Sequence, residues 1–269
     1  MPQLLRVTYN ISRFSLVILL SHATCLSFLH TNGFSNELAY KQTFNERDSE
    51  MARLSAQLKS ADTEGRREAA MSLSRFKDKA VASLLLDALD DPSPIVRAAV
   101  VTALGDIADS SVVRALTRVL TSDKEVFVRK AAAYALGRIS GSESTKALVS
   151  VLKDKDPEVR GAAAVSLGEH ADPSTTAPLI SALSDKDAFV RARAAAALGA
   201  IGPPASRAVP TLITQLKSDA DAEVKRQIAT SLGSMGDRSA LPALHAAALD
   251  SDPYLADAAR ISIKKLNDQ

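Results

Sequence analysis

The sequence of 269 residues contains no tryptophan, one cysteine and four histidines, and aromatic side chains make up 4% of it. The single cysteine, Cys25, excludes an intramolecular disulfide framework and a cysteine-based metal site. After residue 45 the histidines are His170 and His245, which leaves little material for a histidine-based metal site or a Cys–His catalytic pair. We therefore predict no catalytic residues, no metal and no cofactor.

Charge is balanced along most of the chain. Of the 33 basic and 31 acidic residues, three basic residues and one acidic residue lie within residues 1–45. Residues 46–269 therefore contain 30 of each sign. Because broad phosphate-binding surfaces are basic, we expect no nucleic-acid partner.

The first 30 residues differ in character from the rest. Arg6 and Arg13 precede an apolar run that starts at Phe14, and no charged residue occurs from there to Asn36. A basic start and a short apolar core are typical of a secretory signal peptide. We predict that residues 1–30 are a signal peptide or an N-terminal anchor and that the protein is exported, with membrane contact only through this segment. If the chain really starts near Met51, a cytoplasmic location is expected.

Residues 31–48 are predicted to be a linker, and residues 49–269 a domain built from one repeated unit. In the clearest copy, residues 154–168, Asp156 and Pro157 predict a helix start, since Asp caps the first turn and Pro is tolerated there. Small and apolar residues then follow at helical spacing. Gly168 is expected to end the helix in the left-handed conformation.

The unit recurs with a Val-Arg or Val-Lys pair and a later Leu-Gly pair. The glycines are spaced 32, 31, 31 and 34 residues apart, and a degenerate copy flanks the series at each end. Seven copies at this period predict an all-α solenoid of about seven two-helix repeats. Each repeat is predicted to hold an outer helix and an inner helix that begins near the Val-Arg pair.

Two charged columns recur as regularly as the apolar ones. A basic residue in the first turn of a helix opposes the helix dipole, so each needs an acidic partner nearby. We predict a structural ladder that fixes the turns and the repeat register. Its members are Asp91, Asp123, Asp154, Asp185, Asp219 and Asp250, with Arg97, Arg129, Arg160, Arg191 and Lys225.

The pattern Asp-Pro-x-Val-Arg-x-Ala-Ala-x-x-Leu-Gly at a period near 31 resembles HEAT repeats, most closely the short variety found in phycobiliprotein-lyase-type proteins. The resemblance covers roughly residues 49–267 and implies an α/α superhelix whose Val-Arg helices line the concave side. HEAT-fold deoxyhypusine hydroxylases bind iron through several His-Glu pairs on different repeats. Here only the reversed pair Glu169-His170 occurs, so those metal residues cannot be assigned.

The residue before each Val varies between polar and large apolar types. Apolar or aromatic residues at this exposed position would form a row of anchors for a partner protein or peptide; alternatively, they pack between neighbouring repeats. With one aromatic residue farther along an inner helix, the predicted partner-binding residues are Ile95, Phe127, Tyr134, Phe189 and Tyr254. We predict a non-catalytic interaction scaffold. The alternative is an enzyme or enzyme subunit, such as a bilin-lyase-like component or an iron-dependent hydroxylase relative.

Overall fold

The structure, a computed structural model, describes residues 46–268. The chain divides into two compact units, Met1–Glu50 and Met51–Gln269. Of the first unit, residues 46–50 are described, and they are helical. The predicted signal peptide and most of the predicted linker lie outside the described residues. The second unit is a solenoid of seven helix pairs, as the sequence repeat predicts.

Each helix pair consists of an outer helix followed by an inner helix, and the inner helices of consecutive repeats pack side by side. The outer helices are α1 (residues 51–57), α3 (Lys79–Leu86), α5 (Val113–Ser122), α7 (Ser142–Ser150), α9 (Thr176–Ala182), α11 (Val209–Ser218) and α13 (Leu241–Ala247). The inner helices are α2 (Thr63–Leu73), α4 (Pro94–Ile107), α6 (Val126–Gly137), α8 (Pro157–His170), α10 (Ala188–Ile201), α12 (Ala222–Met235) and α14 (Pro253–Asn267).

A continuous core runs between the two layers of helices. Leu167 and Val159 of α8 are fully buried, and so are the residues in the same two columns of α4, α6, α10 and α12. Burial of each such side chain stabilises the fold by about 1.5–3 kcal/mol. The Val and Leu columns of the repeat therefore face the core.

Helix starts follow the predicted chemistry. The side chain of Asp156 accepts a hydrogen bond from the backbone N–H of Glu158 at 2.9 Å, and Pro157 is the first residue of α8. Asp187 caps α10 in the same way, through the N–H of Phe189. These caps satisfy backbone donors that have no partner within the helix.

Helix ends differ from the prediction. Gly168 does not end α8, because the helix continues to His170 and ends at Ala171, whose φ is 48°. Ala108 ends α4 with φ 57°, and Gly236 ends α12 with φ 75°. In α4, α8 and α12 the repeat glycine thus lies inside the helix, and the left-handed position follows it by three residues. In α6, by contrast, Gly137 is the last helical residue.

The repeat glycines instead allow neighbouring inner helices to approach closely. A Cβ atom on Gly168 would lie 2.9 Å from the Cα of Ala197 in the next repeat. One on Gly137 would lie 2.6 Å from the Oγ of Ser166. Both distances are shorter than ordinary van der Waals contact, so the absence of a side chain permits this helix spacing. The helices approach equally closely where Gly105 faces Ala135, Gly199 faces Ser231, and Gly233 faces Ser262.

Candidate protein-interaction surface

The two charged columns meet along one edge of the solenoid, here called the ladder edge. Arg160 donates from Nε to Oδ2 of Asp185 at 2.7 Å and from Nη2 to Oδ1 at 2.8 Å. Its Nη1 donates to the backbone carbonyl of Asp154 at 2.9 Å. The guanidinium therefore contacts the turn of its own repeat and the carboxylate of the next repeat. Such a two-bond Arg–carboxylate contact fixes both distance and orientation.

The same arrangement recurs in four other repeats, with Nε or Nη2 to carboxylate distances of 2.7–3.1 Å. The recurring ion pairs are Arg66–Asp91, Arg97–Asp123, Arg129–Asp154 and Arg191–Asp219. Arg66, which belongs to the degenerate first copy, was not included in the predicted ladder. Its position seven residues before Leu73 is the sequence signal that places it in the arginine column.

Each ladder carboxylate also organises the turn that contains it. Oδ1 of Asp123 accepts a hydrogen bond from the backbone N–H of Glu125 at 2.9 Å. Burial raises the pKa of Asp123, but the hydrogen bonds from Arg97 and Glu125, together with the charges of Arg97 and Arg129, lower it by more, so the pKa lies below its ordinary value. The carboxylate is consequently ionised at neutral pH, as the ladder geometry requires.

The last predicted ion pair of the ladder, between Lys225 and Asp250, does not form. In the described part of the chain no ion pair joins Lys225 to Asp250, which is exposed. Oδ1 of Asp250 accepts from the N–H of Asp252 instead. Lysine has a single charged nitrogen and cannot make the two-bond contact of a guanidinium. The neighbouring Arg226 pairs with Glu223 at 2.7 Å and with Asp252 at 3.3 Å. The predicted pairing of Lys225 with Asp250 is therefore wrong, although Asp250 makes the same turn contact as the other ladder carboxylates.

A second surface, here called the inner surface, is formed by the solvent-facing side chains of the inner helices. Its largest apolar groups include Phe127 and Tyr134 of α6, whose side chains are 42% and 40% exposed. These two residues border a cavity of about 320 Å³, together with Thr102 of the preceding repeat and Glu169 of the following one. Two aromatic groups and a polar rim thus surround one concave site.

Ion pairs flank this cavity on both sides. Nζ of Lys130 donates to Oε2 of Glu158 at 2.6 Å, across the boundary to the next repeat. Arg138 pairs with Asp106 across the boundary to the preceding repeat. Both pairs are substantially exposed, so they contribute little to folding stability. Their main effect is to fix charged groups around the apolar centre.

Phe189 is placed differently from Phe127. Its ring lies over Gly161 of the preceding repeat, where an added Cβ would be 2.2 Å from the ring atom Cε1. The guanidinium of Arg193 lies 4.9 Å from the ring centroid, within the range of a cation–π contact. Phe189 therefore packs between repeats as well as presenting a 41% exposed side chain.

The other two predicted anchors lie away from the cavity. Ile95, on α4, is 55% exposed, and Tyr254, at the start of α14, is 71% exposed. Arg226 lies 5.6 Å from the centroid of the Tyr254 ring. The structure thus brings Phe127 and Tyr134 together and places the remaining three on other inner helices.

His170 is satisfied within the fold. Its Nδ1 lies 3.1 Å from Oγ1 of Thr145, and its Nε2 lies 3.2 Å from the carbonyl of Leu136. Among residues 46–268, no group of three or more His, Cys, Asp or Glu side chains is arranged to hold a metal. Within that range no helix has the length and apolar character needed to cross a bilayer.

Comparison with protein families gives one match, which covers the whole solenoid. The profile described as HEAT repeats matches residues 51–137, 82–167, 145–212 and 209–269. Comparison with curated proteins gives no match.

Solved structures with the same repeat architecture are similar over about four fifths of this chain. The X-ray structure of YibA from Escherichia coli has 21% identity and a TM-score of 0.59, covering 82% of each chain. Importin beta has 17% identity and a TM-score of 0.62, covering 82% of this chain and 36% of its own. The complex of CpcE and CpcF of phycocyanin lyase from Nostoc sp. PCC7120 has 20% identity and a TM-score of 0.49, covering 80% and 92%. At these identities the similarity shows the fold alone.

Proposed function

The chain belongs to the HEAT-repeat family, and on that premise we propose that it is a non-catalytic scaffold that binds a protein partner on its inner surface. The observation that carries the proposal is the cavity between Phe127 and Tyr134. Solvent-exposed aromatic groups at a concave site are the type of residue that dominates binding energy in protein interfaces.

The geometry favours an apolar side chain as the group that enters the cavity. The two aromatic rings present apolar surface, and the cavity of about 320 Å³ lies near the lower limit for ligand pockets. Peptides and helices that bind in grooves insert separate apolar anchors of this size. We therefore propose that a partner helix or peptide inserts one large apolar residue between Phe127 and Tyr134.

The charged residues around the cavity would orient the bound partner. Lys130 and Glu158 lie on one side of the cavity, and Arg138 and Asp106 lie on the other. Each pair is exposed and can exchange its internal contact for a contact with the partner at little cost. Rim charges of this kind influence partner selection and association rate more than affinity. Binding by this mechanism makes and breaks no covalent bond.

Site-specific photo-crosslinking of the full chain tests the proposal. A benzoyl-phenylalanine is placed at position 134, in the cavity, or at position 249, where Leu249 is 87% exposed outside the cavity. The expected result is that position 134 captures a defined protein in the host cell and position 249 does not. The captured protein is then titrated against the purified chain.

The matched substitutions are Phe127→Ser with Tyr134→Ser, compared with Leu249→Ser. Loss of the cavity aromatics is expected to weaken binding by about 2–4 kcal/mol, the range of interface hot spots. Leu249→Ser is expected to leave affinity unchanged. Equal capture at both positions, or equal affinity of both variants, would contradict the proposal, provided that circular dichroism shows the helices intact.

A further inference from the structure

Among residues 46–268, three clefts along the ladder edge each lie between consecutive repeats, beside the ends of their outer helices. They have volumes of about 370, 460 and 730 Å³. The largest lies between α7 and α9 and is here called the α7–α9 cleft. All three are lined by ladder residues, so they differ mainly in the side chains that surround the ladder.

Charge distinguishes the α7–α9 cleft from the other two. Four basic and two acidic side chains line it. The 460 Å³ cleft has three basic and four acidic side chains, and the 370 Å³ cleft has two basic and three acidic ones. One edge of a neutral solenoid thus contains one positively charged cleft beside two negatively charged ones.

The positive charge of the α7–α9 cleft is not neutralised internally. Its two carboxylates, Asp154 and Asp185, are held by ladder arginines. Within the described part of the chain, the exposed side chains of Lys153, Lys155 and Lys186 then have no carboxylate within ion-pair distance. Three ammonium groups therefore surround a cleft whose carboxylates are already bound.

The floor of the cleft is apolar. Leu152 and Ala182 are each 8% exposed, and the half-buried Val149 and Pro178 extend this surface across the outer helices. A ligand that matches both features has an apolar group flanked by negative charges. A simple inorganic anion would leave the apolar floor and most of the 730 Å³ unfilled.

We propose that the α7–α9 cleft binds an acidic peptide segment of a partner protein, with an apolar side chain on Leu152 and carboxylates around Lys153, Lys155 and Lys186. Lysine ammonium groups are mobile point charges that suit several carboxylate positions along a flexible segment. A nucleic acid would need a continuous basic track, whereas the clefts farther along this edge are net acidic. The site is separate from the inner surface and does not depend on the function proposed for it.

Fluorescence anisotropy with the full chain tests the assignment. The probe is a short labelled peptide of Glu and Asp with one central Leu, and the comparison peptides replace that Leu with Ser or the acidic residues with Gln and Asn. The triple variant Lys153→Glu/Lys155→Glu/Lys186→Glu is expected to weaken binding of the acidic Leu peptide at least about 10-fold. Rising salt is expected to weaken binding to the wild-type chain, because the lysines are exposed.

The chain supplies a matched control. Lys124 directly follows ladder residue Asp123, as Lys155 follows Asp154, but Lys124 lines the 460 Å³ cleft. Lys124→Glu is expected to leave the affinity unchanged. Because all four lysines lie at the surface, neither variant should alter the helical circular dichroism signal.

Four outcomes would overturn the proposal. The wild-type chain could fail to bind the acidic Leu peptide, or Lys124→Glu could weaken binding as much as the triple variant does. The Ser or the amide peptide could bind as tightly as the acidic Leu peptide. A single-stranded oligonucleotide that bound more tightly, with the same lysine dependence, would assign the cleft to nucleic acid.

Discussion

Gly168→Ala provides a test of helix packing in which two physical effects predict opposite signs. Gly168 lies inside α8 with ordinary helical backbone angles. Helix propensity alone therefore predicts that alanine stabilises the protein by up to about 1 kcal/mol. The approach of α10 predicts the reverse, because the new Cβ would lie 2.9 Å from the Cα of Ala197 and 3.1 Å from its Cβ.

The loss of folding stability depends on which atoms must move to accommodate the new Cβ. The nearest atom belongs to the backbone of α10, so no side-chain rotation relieves the contact. The two helices must move apart, which loosens the fully buried residues around Leu167. Forcing an extra methyl group into a packed interior typically costs about 1–3 kcal/mol. After the gain in propensity, we expect a net destabilisation of about 1–2 kcal/mol.

Urea unfolding followed by circular dichroism measures the effect. Glu169→Ala is the matched control, since Glu169 is the next residue in α8 and is exposed. It is expected to change the free energy of unfolding by less than about 0.5 kcal/mol. If Gly168→Ala raised the urea midpoint, the close approach of α8 and α10 would carry no energetic weight and our explanation of the glycine column would be wrong.

Two other predictions concern the ladder edge and the helix ends. Arg160→Leu is expected to destabilise the protein by about 3 kcal/mol, because it leaves the largely buried Asp185 without its partner. The pKa of Asp185 is lowered in the folded chain: burial raises it, and the hydrogen bond from Arg160 with other contacts lowers it by more. The stabilisation is therefore present above the unfolded carboxylate pKa of about 4 and is lost as the pH falls through the folded value, so wild type and variant should converge in acid. Ala171→Gly is expected to raise the free energy of unfolding by about 0.5–1 kcal/mol, because Ala171 has a φ of 48°, where glycine carries no Cβ penalty. Gly236→Ala, at the equivalent position, should lower it by a similar amount; if both substitutions shifted the thermal midpoint in the same direction, the explanation from backbone angle would fail.

The repeat pattern predicts the helices well because the capping residues at the helix starts and the spacing of the apolar residues indicate the same helices. The Val and Leu columns mark each buried stripe, and the Asp-Pro start of α8 is confirmed as a cap. The ends of the outer helices are less regular. For example, α3 from Lys79 to Leu86 is followed by a 3-10 turn, Asp87–Asp90. Such turns are common at the ends of short helices.

The role of the glycines was missed because a glycine near a helix end usually marks a cap. The sequence did contain a signal for close packing. The column that faces each glycine from the next repeat holds only alanine or serine: Ala135, Ser166, Ala197, Ser231 and Ser262. Two facing columns of small residues at the same period indicate two helices in close contact.

The candidate sites were less accessible to prediction. Exposure of Phe127 followed from its helical position, but the difference between Phe127 and Phe189 depends on Gly161, which lies in another repeat. The positive charge of the α7–α9 cleft also arises from contacts between repeats, since its carboxylates are held by ladder arginines while its lysines are left without carboxylates. The periodic columns predict the ladder contacts themselves, but the difference in charge between one cleft and the next depends on residues about one repeat apart that do not follow the repeat pattern.

The ladder has a consequence for how such a chain can change its copy number. Each arginine contacts the turn of its own repeat and the carboxylate of the next one. A tandem duplication of one repeat therefore adds one complete Arg–Asp contact and leaves the Arg–Asp contacts of the other repeats intact. A deletion closes the gap in the same way. No such ion pair forms between the copy that contains Lys225 and the degenerate last copy, so this rule applies only to the repeats on the N-terminal side of that junction.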